Sequence, residues 1–277
     1  MMMLCNSFYA YTLARTSVSV DTESLSAIAR NLRLFFIAFL AIWIVFLSTT
    51  FNKAHAQLAF AQTAGPTVGN SRLALGGFEG GPGNTYSYLG LIQPLHKNLG
   101  DSIITRVWLD RLSYTYDKNG DKIHGEALGG EGALGYRNSG AWGWWAAFAG
   151  MLYRDTHFSP DDPDSRARGG IFRAKLQLEG ERNLSERWRA NAIISFVPGQ
   201  NSYWTRGRVL YQLGNIVSTG PEVIGLGDPD YNILQFGWTV VGIPIASRLQ
   251  VNLRGGGRII QGVGTVGYGG IEIGYPF

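Results

Sequence analysis

The sequence predicts an all-β protein: an antiparallel, up-and-down transmembrane β-barrel of about twelve strands, preceded by a cleavable signal peptide. Three observations predict this fold class. Polar and apolar residues alternate strictly, the alternating segments are long, and the composition is rich in glycine and aromatic residues. Together they favour a barrel of the bacterial outer membrane over a soluble sheet protein.

The alternation is clearest in residues 171–181, IFRAKLQLEGE. From residue 172 onward the even positions are apolar or small and the odd positions are polar, which is the period of a β-strand. Residues 186–197 and 202–213 repeat the pattern. A soluble sheet with one face on a core also alternates, so alternation alone does not decide which face is inside.

Segment length favours the membrane interpretation. Strands of soluble proteins average about 5–6 residues, whereas a tilted strand that crosses a bilayer needs about 9–11. The alternating segments have the longer length, and an open sheet edge in hydrocarbon would leave backbone groups unpaired. We therefore expect a closed barrel with its apolar faces toward lipid and its ionised faces enclosed.

The composition excludes several classes of protein. Only 16% of the 277 residues are charged, and there are 38 glycines, which is atypical of a helical enzyme. The formal net charge is only +4, without a basic cluster free of acidic neighbours, so no nucleic-acid partner is expected. Cys5 is the only cysteine and lies in the leader, which argues against thiol catalysis and a cysteine-ligated metal site. No cofactor is expected.

Residues 1–56 are interpreted as a leader with a signal peptide. The apolar run 34–47 is too short for a comfortable membrane-spanning helix, and small-x-small patterns at 54–56 and 59–61 predict cleavage after Ala56 or Ala61. Residues 57–71 contain Gly65, Pro66 and Gly69 and are expected to be a flexible exported N-terminus. The barrel is expected to occupy residues 72–277.

Twelve strands are predicted, and an even number places both ends of the barrel in the periplasm. The longest connections, near 155–167 and 256–264, then lie on the outer side. The predicted strands are 72–79, 84–93, 102–116, 122–137, 141–154, 168–181, 186–197, 202–213, 216–225, 231–242, 247–255 and 265–277.

Two of these strands alternate poorly. In the fourth, Glu126 and Glu131 have opposite parity, and we expect a β-bulge among the neighbouring glycines to bring both to one face. The fifth, AWGWWAAFAGMLY, is apolar on both faces. It either packs the lumen or borders a neighbouring subunit.

The C-terminus carries a second strong signal. Ile271, Ile273, Tyr275 and Phe277 share one face of the last strand, which resembles the C-terminal strand that the outer-membrane assembly machinery recognises. That machinery and outer-membrane lipid are therefore expected partners. Aromatic residues near strand ends are expected to form interfacial girdles, namely Trp108, Tyr114, Tyr116, Tyr136, Trp142, Tyr153, Trp188, Tyr203 and Tyr275.

Charged residues on the predicted inner face are the candidate functional residues, because each Arg or Lys facing lipid at the midplane would cost about 2–4 kcal/mol. Either they pair across strands as a structural plug, or they line a wet path for polar or anionic solutes. Pairing is favoured because narrow barrels commonly fill their interior this way. The predicted lumen-lining residues are Arg106, Asp110, Glu126, Arg173, Lys175, Glu179, Glu181, Arg187, Arg189, Arg206, Arg208, Arg248, Arg254 and Glu272.

Other chemistry is weakly supported. Asp161, Asp162 and Asp164 could suit calcium, but their spacing matches no calcium loop, so no metal site is expected. For hydrolysis, Glu126 and Glu131 or Asp110 could pair as carboxylates, and a serine could use His124 or His157 as a base. Since none of these residues sits in a recognisable motif, no catalytic residues are expected.

Several longer motifs are similar to one known family. The run GYRNSGAWGWWAAFAGMLYRDTHFSPDDPDSRARG, then WTRGRVLYQLGN and STGPEVIGLGD, resemble the BcsS family of cellulose biosynthesis proteins, and RLSYTYD fits the same pattern. The resemblance covers about residues 72–240. It implies a non-catalytic outer-membrane accessory of bacterial cellulose or exopolysaccharide biosynthesis or export, in contact with the cellulose synthase complex or the glucan.

An uncharged glucan would need aromatic platforms, which these residues could supply: Trp108, Tyr114, Tyr116, Tyr153 and Trp204. They could equally be girdle or packing residues. The alternatives to the accessory function are a general small-solute channel of the outer membrane and, with less support, an outer-membrane hydrolase.

Overall fold

The described part of the chain forms a closed barrel of twelve antiparallel strands, each hydrogen-bonded to its neighbours in sequence, with the last strand pairing with the first. The computed structural model describes residues 72–277 apart from 97–98, 119, 166, 229–231 and 261–263. The predicted fold class is thereby confirmed, whereas the predicted leader and flexible N-terminus lie outside the described residues. The strands are β1 (Leu73–Gly81), β2 (Asn84–Pro94), β3 (Ser102–Lys118), β4 (Asp121–Gly140), β5 (Gly143–Ser159), β6 (Gly169–Asn183), β7 (Trp188–Val197), β8 (Ser202–Leu213), β9 (Val217–Gly227), β10 (Asn232–Pro244), β11 (Gln250–Ile260) and β12 (Gly264–Pro276).

The barrel has its apolar residues outside and its charges inside. Phe172 on β6 is 67% exposed, whereas Arg106 on β3 is 4% exposed. This is the reverse of a soluble protein, in which large apolar side chains are buried and charged ones exposed. Within the described residues, no helix has the length and hydropathy to cross a membrane.

The two ends of the barrel differ. At the terminal end, where β1 begins and β12 ends, Arg72 and Phe277 exchange backbone hydrogen bonds. At the opposite end, called the loop end, β3, β4 and β5 are 17, 20 and 17 residues long, well beyond the roughly 9–11 needed to cross a bilayer. The outward faces of these extensions carry charges, including Arg111, Glu126 and Asp155.

Two predicted strand limits were wrong. A loop was expected over 155–167, but β5 continues to Ser159 because residues 154–159 pair with 124–129 of β4. The eleventh strand was expected over 247–255, but it runs from Gln250 to Ile260. Gly256 and Gly257, which the prediction assigns to the following loop, pair with β10 and β12.

The bulge expected in β4 does not form. The registers of β4 with both of its neighbours are continuous, so Glu126 and Glu131 point to opposite faces. Glu131 is buried inside and Glu126 is exposed outside. A register shift occurs instead in β10, between Val240 and Ile243, where Gly242 has a φ of 79° that favours glycine.

The inner face of β5 fills part of the lumen, as the first of the two interpretations of this strand expects. Near the terminal end it contributes to an apolar cluster with β1, β2, β3 and β4. The cluster consists of Leu73, Ile92, Ile104, Ala133, Trp144, Ala146 and Phe148.

Aromatic residues lie on the outward face near both ends, as interfacial girdles do. Exposed Tyr136, Trp142, Trp188 and Tyr275 are near the terminal end, and Tyr153 is toward the loop end. The girdle prediction was wrong for three residues, because Trp108, Tyr114 and Tyr116 occupy even positions of β3 and face inward together with buried Ile104, Arg106 and Asp110.

Candidate functional site: the barrel lumen

A cavity of 370 Å³ occupies the lumen. Its lining reaches from Leu73, Ile92 and Gln250 near the terminal end to Gln200 and Asp228 near the loop end. The volume is at the low end of the range for small-molecule pockets, about 300–1,000 Å³. Around the cavity, the interior holds the apolar cluster near the terminal end and several networks of buried ion pairs.

The first network is centred on Glu131, whose side chain is 1% exposed. Arg106 Nε donates to Glu131 Oε1 at 2.9 Å, and Lys175 Nζ donates to Oε2 at 2.5 Å. The Arg106 guanidinium also lies 4.4 Å from the centre of the Phe148 ring. Three strands, β3, β4 and β6, are thus connected through a single carboxylate.

A second ion pair lies nearby on β3 and β5. Arg154 Nη2 donates to both carboxylate oxygens of Asp110, at 2.8 and 3.0 Å. The Asp110 carboxylate lies directly over Gly129 of β4, where a Cβ would come within 2.6 Å of it. Glycine at 129 therefore leaves the space that this buried carboxylate occupies.

On the part of the barrel formed by β10, β11, β12, β1 and β2, the central carboxylates are those of Glu79 and Glu272. Glu79 accepts hydrogen bonds from Arg258 and Gln235, each at 2.9 Å, and its other oxygen lies 3.1 Å from Arg254 Nε. Glu272 accepts hydrogen bonds from the Tyr88 hydroxyl and from Asn252. These contacts join β1, β10, β11, β12 and β2.

A third network lies on β6, β7, β8 and β9. Arg189 donates to Glu181 at 3.1 Å and to Ser218 at 2.7 Å. Arg208 donates to Asn191 at 2.9 Å. Since buried charges are tolerated when they are paired and hydrogen-bonded, the alternating charges of the sequence act as cross-links of the wall.

Two aromatic rings lie flat on the wall of the cavity. The Trp108 ring covers Gly90, where a Cβ would come within 2.2 Å of it, and the Tyr88 ring covers Gly77 in the same way. The two rings are stacked, with centroids 4.6 Å apart and 16° between their planes. We call Tyr88 and Trp108 the aromatic shelf; it depends on cross-strand glycines.

The predicted lumen-lining residues have different positions. Arg173 faces inward on β6 without lining the cavity, and Arg189 is buried beside Glu181. Glu126, Arg187 and Arg248 are exposed and were wrongly predicted to face inward, Glu126 because of the missing bulge and the two arginines because they lie in turns. Those that line the cavity are Arg106, Asp110, Lys175, Glu179, Glu181, Arg206, Arg208, Arg254 and Glu272.

The five predicted glycan-contact residues also lie in different parts of the barrel. Trp108 and Trp204 line the cavity. Tyr114 and Tyr116 face inward beyond it and pack edge-on against Phe158. Tyr153 was wrongly included, because it lies on the outer wall, 4.6 Å from the Phe172 ring centre.

Sequence reasoning missed several inward charges. Glu79 and Arg258 have glycine neighbours, which hide the alternation, and Arg154 lay at the end of the predicted strand. Arg137 is stacked 4.5 Å from the Trp144 ring. It lies six residues after Glu131 on the same strand and therefore on the same face, so the alternation could have predicted its inward position. Glu222 is also buried inside. It follows Pro221, and a proline argues against a strand that pairs on both sides.

The aspartates of the β5–β6 connection are engaged by side chains of the protein. Tyr116 and Lys118 each donate to Asp162 at 2.5 Å, Lys118 also lies 3.3 Å from Asp164, and Arg168 donates to Asp161. These hydrogen bonds from Lys118 and Tyr116 hold the pKa of Asp162 below its ordinary value. Among the described residues, no three potential ligands are grouped as a metal site.

The residues considered for hydrolysis do not form a catalytic group. Glu126 and Glu131 lie on opposite faces of β4, so they cannot act as a pair. Asp110 and Glu131 are both inside, but each is bound to cations. His124 and His157 are exposed on the outward face near the loop end, next to Glu126 and Asp155.

Comparison with known proteins gives a family match and distant structural likenesses. A family model described as cellulose biosynthesis protein BcsS matches residues 58–277. No curated protein matches the chain. Among solved structures, the KdgM porin aligns at a TM-score of 0.48 and 9% identity, covering 74% of this chain and 99% of the porin. The translocator domain of autotransporter NalP from Neisseria meningitidis aligns at 0.44 and 11% identity, covering 77% and 90%.

Proposed function

The chain belongs to the cellulose biosynthesis protein BcsS family, and from this premise we propose that it is a non-catalytic outer-membrane accessory of bacterial cellulose or related exopolysaccharide production. Its expected partners are outer-membrane lipid, the outer-membrane assembly machinery and, on the biosynthetic side, the cellulose synthase complex or the glucan itself.

The outward face supports the membrane location. Large apolar side chains, such as Leu89, Leu128, Phe172 and Trp238, are exposed on it. In water they would form an apolar surface much larger than soluble monomers tolerate. In an outer membrane the same residues form the apolar band that transmembrane barrels present to lipid.

One observation carries the accessory function: charged side chains held in buried ion pairs project into the lumen and leave a cavity of only 370 Å³. Glu131 of β4 binds Arg106 of β3 and Lys175 of β6, and Glu79 of β1 binds Arg254 and Arg258 of β11. A glucan chain that passed through the barrel would have to displace these paired side chains. We therefore place the function in assembly or guidance of the polymer at the membrane, with the barrel as a rigid platform.

The direct test is genetic. In a bacterium that produces cellulose, deletion of the gene should lower secreted cellulose, while synthase activity in isolated membranes should persist. Complementation with the wild type should restore the yield. Unchanged secreted cellulose in the deletion strain would contradict the proposal.

A specific observation favours a second candidate, a small-solute channel. The cavity is lined by residues from both ends of the strands, including Gln250 at one end and Asp228 at the other. Reconstitution into planar bilayers separates the two functions, since a cross-linked accessory should show no steady conductance and a channel should conduct continuously.

The hydrolase alternative is tested by the exposed candidates themselves. Because Glu126 and His157 lie outside the lumen and form no catalytic group, Glu126→Ala and His157→Ala should retain the full cellulose yield. Loss of yield in either correctly inserted variant would favour a hydrolase.

A further inference from the structure

Side chains close the lumen at the terminal end of the barrel. On each of the strands β1–β11, an inward side chain near this end is at most 8% exposed, and Pro276 of β12 is also buried. An open mouth would leave such side chains in contact with water. In the part of the chain that the structure describes, the barrel is therefore closed at this end. Six of the buried side chains, from strands around the ring, are Leu73, Ile104, Trp144, Leu210, Val241 and Gln250.

The closure is apolar on β1–β5. Leu73, Ile92 and Trp144, which we call the apolar floor, line the part of the cavity nearest the terminal end. They belong to the buried apolar cluster, and Leu99 of the β2–β3 connection packs against that cluster. The Arg137 guanidinium stacks on the Trp144 ring at 4.5 Å, which helps to hold the largest side chain of the floor in place.

On β6–β10 the closure combines apolar side chains with paired polar ones. Leu210 and Val241 are each 1% exposed. Beside them, Arg189 donates to Glu181 at 3.1 Å and to Ser218 at 2.7 Å. The buried ring therefore continues beyond the apolar floor.

The loop end of the cavity is different. Asn84, Leu112, Gln200, Leu226 and Asp228 line the cavity there, and all five are partly exposed. Water and small polar solutes can therefore enter the lumen from this end.

We propose that the lumen is a vestibule that opens only at the loop end, and that the apolar floor seals it against ions and polar solutes at the terminal end. Apolar constrictions stop ions because water withdraws from them and an ion without its hydration is costly to bury. A polar solute that enters the cavity must then leave by the same mouth. This goes beyond the proposed function, which concerns the polymer, and it requires the floor to move before the barrel can act as a channel.

The experiment measures the conductance of the purified protein in planar bilayers, where the wild type should show no steady conductance. Trp144→Ala removes the largest side chain of the floor and should raise the conductance at least about tenfold above the wild-type baseline, because an opening that stays wet lets ions pass. The matched control is Trp238→Ala. Trp238 is 56% exposed on the outward face, so this variant should behave like the wild type.

A second pair of variants decides the question if Trp144→Ala does not fold. Leu99→Ser weakens the floor from the β2–β3 connection, outside the strands, and should also conduct. Its control is Leu95→Ser in the same connection, because Leu95 is 53% exposed. Glu131→Gln breaks an ion-pair network but leaves the floor in place, so it should not conduct.

Four results would overturn the inference: steady conductance of the wild type; no conductance of Trp144→Ala and Leu99→Ser in inserted barrels; equal conductance of these variants and their controls; or steady conductance of Glu131→Gln, which would place the closure in the ion pairs. Failure of the inference is distinguishable from failure of the proposed function. The seal is measured on purified protein, whereas the accessory function depends on the cellulose yield of the deletion strain.

Discussion

At the scale of single residues, the lumen depends on carboxylates that each satisfy more than one cation. We predict that Glu131→Gln lowers the free energy of unfolding by about 3–5 kcal/mol, because it leaves Arg106 and Lys175 buried without their counter-charge. Urea unfolding of the barrel in lipid vesicles measures this change.

The matched control is Glu126→Gln on the same strand. Glu126 pairs with Arg111 outside the barrel, where both side chains are at least half exposed, so solvent screens the pair and its loss should change little. Equal destabilisation by the two substitutions would show that the Glu131 network does not hold the lumen together.

The residue scale also shows where sequence reasoning succeeds and fails. Period-two alternation sufficed to place Arg106, Lys175 and Glu272 on the inner wall, because a strand offers only two faces. The inward placement of Glu126 failed because its parity, opposite to that of Glu131, was attributed to a bulge that does not form. Near the loop end the outward face also carries charges, so a charge there does not mark the inner wall. No sequence pattern could have shown that Trp108 lies over Gly90, since this contact depends on the register between two strands.

At the scale of elements, the β5–β6 connection (160–168) is held against β3 through Asp162. Since the pKa of Asp162 is lowered, its stabilising contribution is complete above the ordinary aspartate pKa of about 3.9. It is lost only as the pH falls through the lower pKa of the folded state. We predict that the connection stays protected from proteolysis at pH 5–7, and that Asp162→Asn makes Arg168 susceptible to trypsin at neutral pH.

Asp164→Asn is the control for this element. The Asp164 side chain is 84% exposed, so the substitution should leave the rate of cleavage close to that of the wild type. Equal protection of Asp162→Asn and the wild type would contradict the assigned role of Asp162.

The last strand, β12, gives a prediction about assembly. Phe277 and Tyr275 stack on the outward face, with ring centroids 5.9 Å apart. We predict that Phe277→Ala reduces the amount of folded barrel in the outer membrane several-fold, whereas folding of purified protein into detergent changes little. Phe172→Ala, also outward and exposed, is the control; an equal loss for both would indicate a general effect of apolar area instead of recognition of the C-terminus.

The limits of the strands were predictable where alternation is strong, as in β6, β7 and β8. They were not predictable where glycine removes the pattern, as in β11, or where a strand extends into water, as β5 does. Pairing with β4 stabilises that extension. Such pairing depends on the neighbouring strand, so the sequence of β5 alone does not show it.

At the scale of the whole molecule, the account depends on an inside-out arrangement: apolar residues against lipid and ionised residues enclosed. The chain has one cysteine, Cys5, outside the predicted barrel. Single cysteines can therefore be introduced into a cysteine-free barrel and labelled one at a time.

Spin labels at consecutive positions 172–178 of β6, in a barrel reconstituted into lipid vesicles, test this arrangement most directly. We predict that labels at 172, 174, 176 and 178 are accessible to oxygen dissolved in the lipid, whereas those at 173, 175 and 177 are not. Uniform accessibility to a water-soluble relaxation agent, or the opposite alternation, would contradict the membrane barrel.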